Sequence, residues 1–137
     1  MAQSFFPLLP VVPSVCTAQT ISELSDLTEF VTRQCISLSG ALVISNLNPA
    51  VSQSTLQYAF QNLLAITDGL IIMGNTAIAT LDFLSTLQDV PSVKILNNDG
   101  LVDARLPNLN RSAMVTVEGN RRLCSLNFPL ASGTCST

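Results

Sequence analysis

The residues Leu70-Ile-Ile-Met-Gly-Asn75 return along the chain as Val93-Lys-Ile-Leu-Asn-Asn98 and again as Val115-Thr-Val-Glu-Gly-Asn120. Each copy has two apolar residues and one asparagine at the same offsets, and the copies are 23 and 22 residues apart. A fixed period of this size is typical of repeat proteins, in which each repeat adds one layer to a shared core. The repeats therefore predict a solenoid.

Alternate residues of a strand point to opposite faces, so Leu70 and Ile72 are predicted to face the core while Ile71 and Met73 face solvent. Stacked repeats would place equivalent strands side by side in a parallel sheet, which residues 42–44 extend by one earlier strand. A second column of strands is predicted at residues 81–83, 104–106 and 126–128. The triplet spacings that follow Phe60 and Leu84 are interpreted as tight arcs that return the chain to its next strand.

The segment from Thr20 to Arg33 is predicted to be an α-helix that caps the N-terminal end of the solenoid. Thr20 and Glu23 have the spacing of a capping box. Apolar residues recur three and four positions apart and would form one buried face.

Asn75, Asn98 and Asn120 occupy one corner of three successive repeats. A polar ligand site is one interpretation. The favoured one is structural, because an inward asparagine can satisfy both the N–H and C=O groups that a corner leaves unpaired.

Composition excludes several classes of function. The 137 residues carry a net charge of −3 with only six Lys plus Arg, which argues against nucleic-acid binding. Histidine is absent, and the four cysteines form no Cys-x-x-Cys pair, so no metal site, cofactor or catalytic centre is predicted. No stretch has the length and apolarity of a membrane span.

The cysteines flank the repeats, with Cys16 and Cys35 before them and Cys124 and Cys135 after. An even count in this arrangement indicates disulfides and an extracellular location, although four buried free thiols are the alternative. Because the two ends of a solenoid lie far apart, local pairing is the easy geometry: Cys16 with Cys35, and Cys124 with Cys135. The sequon at Asn110 also agrees with secretion and predicts a glycan.

The first 15 residues are apolar but interrupted by prolines and lack a basic residue, so they make a poor signal peptide. We interpret residues 1–15 as an extended leader segment and residues 16–137 as the folded domain.

The repeated phrase, together with Leu81-Asp-Phe-Leu84 and the closing Asn120-Arg-Arg-Leu-Cys124, resembles the receptor L domain. This domain forms the ligand-binding lobes of insulin and epidermal growth factor receptors, and the variant here looks most like single domains of nematode proteins. The resemblance implies a mainly β fold, a right-handed parallel β-helix similar to leucine-rich-repeat solenoids, with disulfides at its ends. It also implies extracellular recognition of a protein or peptide ligand.

Two other functions compete with a binding module. Fungal wall proteins resemble the same domain, so a structural protein of the cell surface or wall is the alternative. Some parallel β-helices cleave acidic polysaccharides with clustered charges, for which Asp82, Asp103 and Arg105 are the candidates here. A solvated surface with ion pairs explains these three residues more simply, and no enzyme activity is predicted.

A partner-binding surface is predicted on the outer face of the first sheet. Its outward positions form two columns, Val43, Ile71, Lys94, Thr116 and Ser45, Met73, Leu96, Glu118. Outward positions on a solvent-exposed face of a sheet are normally polar. A contiguous apolar patch with a polar rim is typical of an interaction surface. The predicted contact residues are Val43, Ile71, Met73, Lys94 and Leu96. The segment from Phe5 to Leu9, or a neighbouring extracellular domain, are the other candidates for covering this face.

Overall fold

A computed structural model describes residues 14–110, 113–123 and 125–127 of the chain. Within these ranges the strands are short and the helical segments lie between them. The strands are β1 (Val15–Thr17), β2 (Thr20–Ile21), β3 (Ser37–Ser39), β4 (Ala41–Ser45), β5 (Ala65–Ile66), β6 (Gly69–Met73), β7 (Ser92–Leu96), β8 (Asp103–Arg105), β9 (Met114–Glu118) and β10 (Ser125–Asn127). The helices are α1 (Thr28–Arg33) and α2 (Gln53–Phe60), with two 3-10 turns at Leu24–Leu27 and Asp82–Leu84.

The main sheet is parallel and has the strand order β2-β4-β6-β7-β9. Ile72 lies opposite Ile44 on one side and Ile95 on the other, and Ile95 lies opposite Val117. The repeat period therefore gave the correct register. The inward side chains of β4, β6 and β7 are fully buried, because their alternation puts one apolar row of each strand into the core.

Two smaller parallel sheets accompany the main one. One has the order β1-β3-β5, and the other consists of β8 and β10. In the second, Ala104 lies opposite Leu126, which is the register that the sequence predicted for this column.

The predicted solenoid, a mainly β, right-handed parallel β-helix similar to leucine-rich-repeat proteins, is wrong. The described chain is an α/β fold with separate parallel sheets, and no sheet in the described ranges closes on itself. The insertion after β4 forms helix α2, in which Leu56, Ala59 and Phe60 share the buried face at helical spacing. The first member of the predicted second strand column is a 3-10 turn instead, because Phe83 and Leu84 are both buried and a strand would bury only one of two neighbours.

The predicted capping helix from Thr20 to Arg33 is also wrong in extent. Thr20 and Ile21 form strand β2 and pair with Val43 and Ile44 of β4. Asp26 then accepts backbone N–H bonds from Ser22 (2.9 Å) and Glu23 (3.1 Å), so the helical part starts after Glu23. The predicted capping box of Thr20 and Glu23 does not form.

The helical segments pack on one another through a row of phenylalanines. The rings of Phe30 and Phe60 have centroids 5.2 Å apart, and those of Phe60 and Phe83 are 6.1 Å apart. All three side chains are at most 1% exposed. Tilted aromatic pairs at these distances are favourable, so this row joins α1, α2 and the Asp82–Leu84 turn into a helical layer over the core.

The N-terminal disulfide joins Cys16 of β1 to Cys35, with Cα atoms 5.9 Å apart, and this confirms the first predicted pairing. The second predicted pair, Cys124 and Cys135, lies outside the described residues. So do residues 1–13 of the predicted leader, whereas Val15 already belongs to β1. Within the described ranges, no helix is both long and apolar enough to span a bilayer.

Candidate functional site

The outer face of the main sheet carries the two predicted columns of side chains in the predicted order. Val43, Ile71, Lys94 and Thr116 are consecutive partners across β4, β6, β7 and β9. Ser45, Met73, Leu96 and Glu118 form the second row. Parallel strands are about 4.8 Å apart, so each side chain contacts the next one in its row.

Four outward side chains of this face are apolar, and we call them the sheet patch: Val43, Ile71, Met73 and Leu96. Met73 is 40% exposed, and the other three are half-buried. Their inward neighbours on the same strands are fully buried, so the two faces differ sharply in solvent contact. The patch is thus an apolar surface spread over three adjacent strands.

Polar residues border the sheet patch on one side. Lys94 lies opposite Ile71 and is exposed, and Glu118 lies opposite Leu96 and is exposed. No carboxylate within the described ranges forms an ion pair with Lys94, whereas the three ion pairs found there lie elsewhere. Lys94 therefore offers a cation to a partner without breaking an existing ion pair.

The strands of this face end at one corner, which a ladder of asparagines holds. The side-chain oxygen of Asn120 accepts from the N–H and the Nδ2 of Asn98, each at 2.9 Å. Asn98 Nδ2 also donates to the carbonyl of Ile72 at 2.9 Å. Asn75 repeats these contacts one strand earlier, and its Oδ1 accepts from Leu47 N–H at 2.9 Å. The predicted structural role of this column is confirmed.

The residue before each ladder asparagine adopts a left-handed backbone, which the sequence reasoning missed, and so does Asn46 at the equivalent position after β4. The four residues are Asn46, Gly74, Asn97 and Gly119, with φ between 47° and 69°. Asparagine and glycine are the residues that tolerate this conformation best. Asparagine and glycine alternate at this position from one repeat to the next, and this pattern could have predicted the left-handed turn. Because this turn follows each strand at the same position, β4, β6, β7 and β9 all end in register along one edge of the candidate surface.

The charged residues considered for polysaccharide cleavage fall into two groups. Arg105 binds Asp103 through two hydrogen-bonded contacts, at 2.7 Å and 3.0 Å, so these two satisfy each other. Asp82 lies in a 3-10 turn and not on a strand. In the part of the chain that the structure describes, no group of three potential metal ligands is found.

A surface cavity of about 350 Å³ lies beside β5, where sequence reasoning predicted none. It is lined by Ala65, Ile66, Thr67, Asp89, Val90, Pro91 and Asn110. Asn110, the asparagine of the sequon, donates from Nδ2 to Asp89 at 3.3 Å and is exposed. An attached glycan would begin at the rim of this cavity and on a different part of the surface from the sheet patch.

Comparison of the chain with protein-family models, with curated protein sequences and with solved structures found no match. The resemblance to the receptor L domain thus depends on the sequence motifs of the repeats and of residues 120–124 alone.

Proposed function

We propose that this chain is an extracellular recognition module of the receptor L type, which binds a protein or peptide through the outer face of the main sheet. We propose the recognition role only, and not the β-helix of that family, because the described chain has a different fold. The observation that carries it is the sheet patch: Val43, Ile71, Met73 and Leu96 are neighbours across three strands at positions that a wet sheet fills with polar residues.

The Cys16–Cys35 disulfide supports the extracellular part of the proposal, because structural disulfides persist in oxidising compartments. The polar rim supports the recognition part. An apolar centre bordered by Lys94 and Glu118 has the organisation of an interface, in which the centre supplies affinity and the rim orients the partner.

The test compares Ile71→Asp/Met73→Asp with Val102→Asp in the oxidised 137-residue chain. Val102 is 42% exposed and lies outside the main sheet, so it matches Met73 in exposure. Each immobilised variant is incubated with extracellular fluid from the source organism, and the captured proteins are compared. We expect a protein retained by the wild type and Val102→Asp to be lost from the double variant. Equal retention by a folded double variant would disprove the proposed surface.

A further inference from the structure

We propose that β9 is an assembly edge, which pairs antiparallel with β9 of a second copy of this chain around a two-fold axis through Val117. This surface is the free edge of the main sheet. It adjoins the outer face that the proposed function uses and shares the rim residues Lys94 and Glu118 with it, whereas the four apolar residues of the sheet patch take no part in the proposed strand pairing.

The two ends of the main sheet differ in protection. At one end β2 is only two residues long, and it runs directly into the 3-10 turn and helix α1, which bury Leu27 and Phe30 completely. At the other end β9 is five residues long, and no strand within the described ranges pairs with its far side. Natural proteins usually protect such edges with proline, inward charges or a covering element. β9 contains neither proline nor an inward charge.

The core is incompletely covered at the same end. Val115 and Val117 occupy the inward positions of β9 and are only partly buried, whereas their equivalents Val93 and Ile95 on β7 are fully buried. Asn120 N–H is the equivalent of the ladder donors on Asn75 and Asn98. Asn120 is only 4% exposed, yet its N–H has no acceptor in residues 14–110, 113–123 and 125–127. Both observations indicate that an additional strand beside β9 would complete the main sheet.

The backbone of β9 shows which groups are available. Met114 N–H donates to Pro91 and Glu118 C=O accepts from Asn97, so even-numbered residues bond towards β7. Strand alternation then directs the N–H and C=O groups of Val115 and Val117 to the free side. Gly119 N–H points there as well, as Gly74 N–H points to Leu96.

These groups are complementary to themselves. An antiparallel pair centred on Val117 places Val115 opposite Gly119 of the second copy. Val117 can then exchange two N–H···O bonds with Val117 of the second copy, and each Gly119 N–H can donate to the Val115 C=O of the other copy. The same two-fold axis covers the exposed part of Val117 with Val117 of the second copy.

Charge complementarity supports a second copy as the occupant. In this arrangement Thr116 lies next to Glu118 of the other copy, while its own neighbour on β7 is Lys94. Lys94 and that Glu118 are two strands apart, about 10 Å between backbones, which their long side chains can span. Symmetry forms this contact twice, and Lys94 has no other ion pair among the described residues.

The first experiment measures the mass and the amide exchange of the oxidised 137-residue chain between about 1 and 100 μM, a range that populates a micromolar dimer. We expect a dimer, with amides of Val117 and Gly119 that become protected as concentration rises. The amides of Met114, Thr116 and Glu118 should be protected throughout, which provides the internal control. A chain that stays monomeric overturns the proposal. Protection of the odd-numbered amides at every concentration overturns it too, because a segment of the same chain would then cover the edge.

The second experiment exchanges the charges. Lys94→Glu and Glu118→Lys should each weaken association about tenfold, since each creates two like-charged contacts, and the double exchange should restore it. Both side chains are exposed, so the fold is retained. A dimer of equal strength in all three variants would be formed by another surface and overturns the proposal.

Discussion

Asn98 accepts two hydrogen bonds from Asn75 through one side-chain oxygen, from the backbone N–H at 3.1 Å and from Nδ2 at 2.9 Å. Both residues are completely buried. A single side chain thus closes the corners of two neighbouring repeats, and its loss strands groups in both.

Asn98→Ala should therefore lower the free energy of unfolding by about 3 kcal/mol or more, since each unpaired buried group costs roughly 1–3 kcal/mol. The preceding residue provides the control. Asn97 is exposed with φ 55°, so Asn97→Ala would add backbone strain of its own, whereas Asn97→Gly fits the turn and should change stability little. Urea unfolding of both variants measures the difference. Equal midpoints would contradict the assigned role of the ladder.

Gly74→Ala should be destabilising for two separable reasons. Gly74 has φ 67°, which costs a residue with Cβ roughly 1–2 kcal/mol, and the added Cβ would lie 2.8 Å from Asn46 Oδ1. In an Asn46→Gly background the close contact with Asn46 Oδ1 is absent, and only the cost of the left-handed backbone at residue 74 remains. A double-mutant cycle from thermal or urea unfolding should show a smaller loss for Gly74→Ala in that background. Strict additivity would show that the close approach is unimportant.

The Cys16–Cys35 disulfide closes a loop with a sequence separation of 19 residues. Cross-linking a loop of this length stabilises a fold by about 3 kcal/mol, chiefly through the unfolded chain. Cys16→Ala/Cys35→Ala should therefore unfold at a clearly lower urea concentration than the oxidised wild type. Under reducing conditions the gap should largely close, because the wild type then loses the same cross-link.

The second pairing, Cys124 with Cys135, stays a prediction that a non-reducing tryptic digest can decide. Trypsin separates residues 1–33 from residues 34–94 and leaves both remaining cysteines within residues 123–137. We expect the first two peptides to be linked, and the last to be unlinked but two hydrogens lighter than its reduced form. A cross-link between residues 123–137 and either other peptide would refute the pairing.

The ion pair of Asp103 and Arg105 should be of little importance to stability. Its side chains are 19% and 51% exposed, and pairs of this kind contribute about 0–1 kcal/mol. Asp103→Ala/Arg105→Ala should unfold close to the wild type. We also expect no oligosaccharide from a panel of acidic polysaccharides incubated with the wild-type chain. Release that disappears in this variant would instead identify an enzyme.

The register of the main sheet was predictable because one signal was repeated. Leu70, Val93 and Val115 share their offsets to the asparagine of each repeat, and a shift by one residue would turn every buried side chain outward. The same repetition predicted the asparagine ladder and the order of the outward columns. Tertiary pairing reinforced the local pattern at each of these positions.

The helical layer was not predictable by the same reasoning. Short apolar spacings such as those around Phe60 and Phe83 suit an arc, a strand or a helical turn equally well. The choice depends on contacts between segments that are distant in sequence, here the phenylalanine row. Thr20 and Ile21 show the converse case, since a helical pattern was overridden by pairing with β4.

The left-handed corner constrains how such a chain can grow. Asn46 and Asn97 each stand against a glycine of the following repeat, at a place where a Cβ would meet the asparagine amide. Duplication of one repeat that has asparagine at the left-handed position would place asparagine against asparagine and create that collision. Duplication of two consecutive repeats would keep each such asparagine against a glycine. A duplication that avoids this contact therefore spans two repeats, about 45 residues, although the core pattern repeats at half that length.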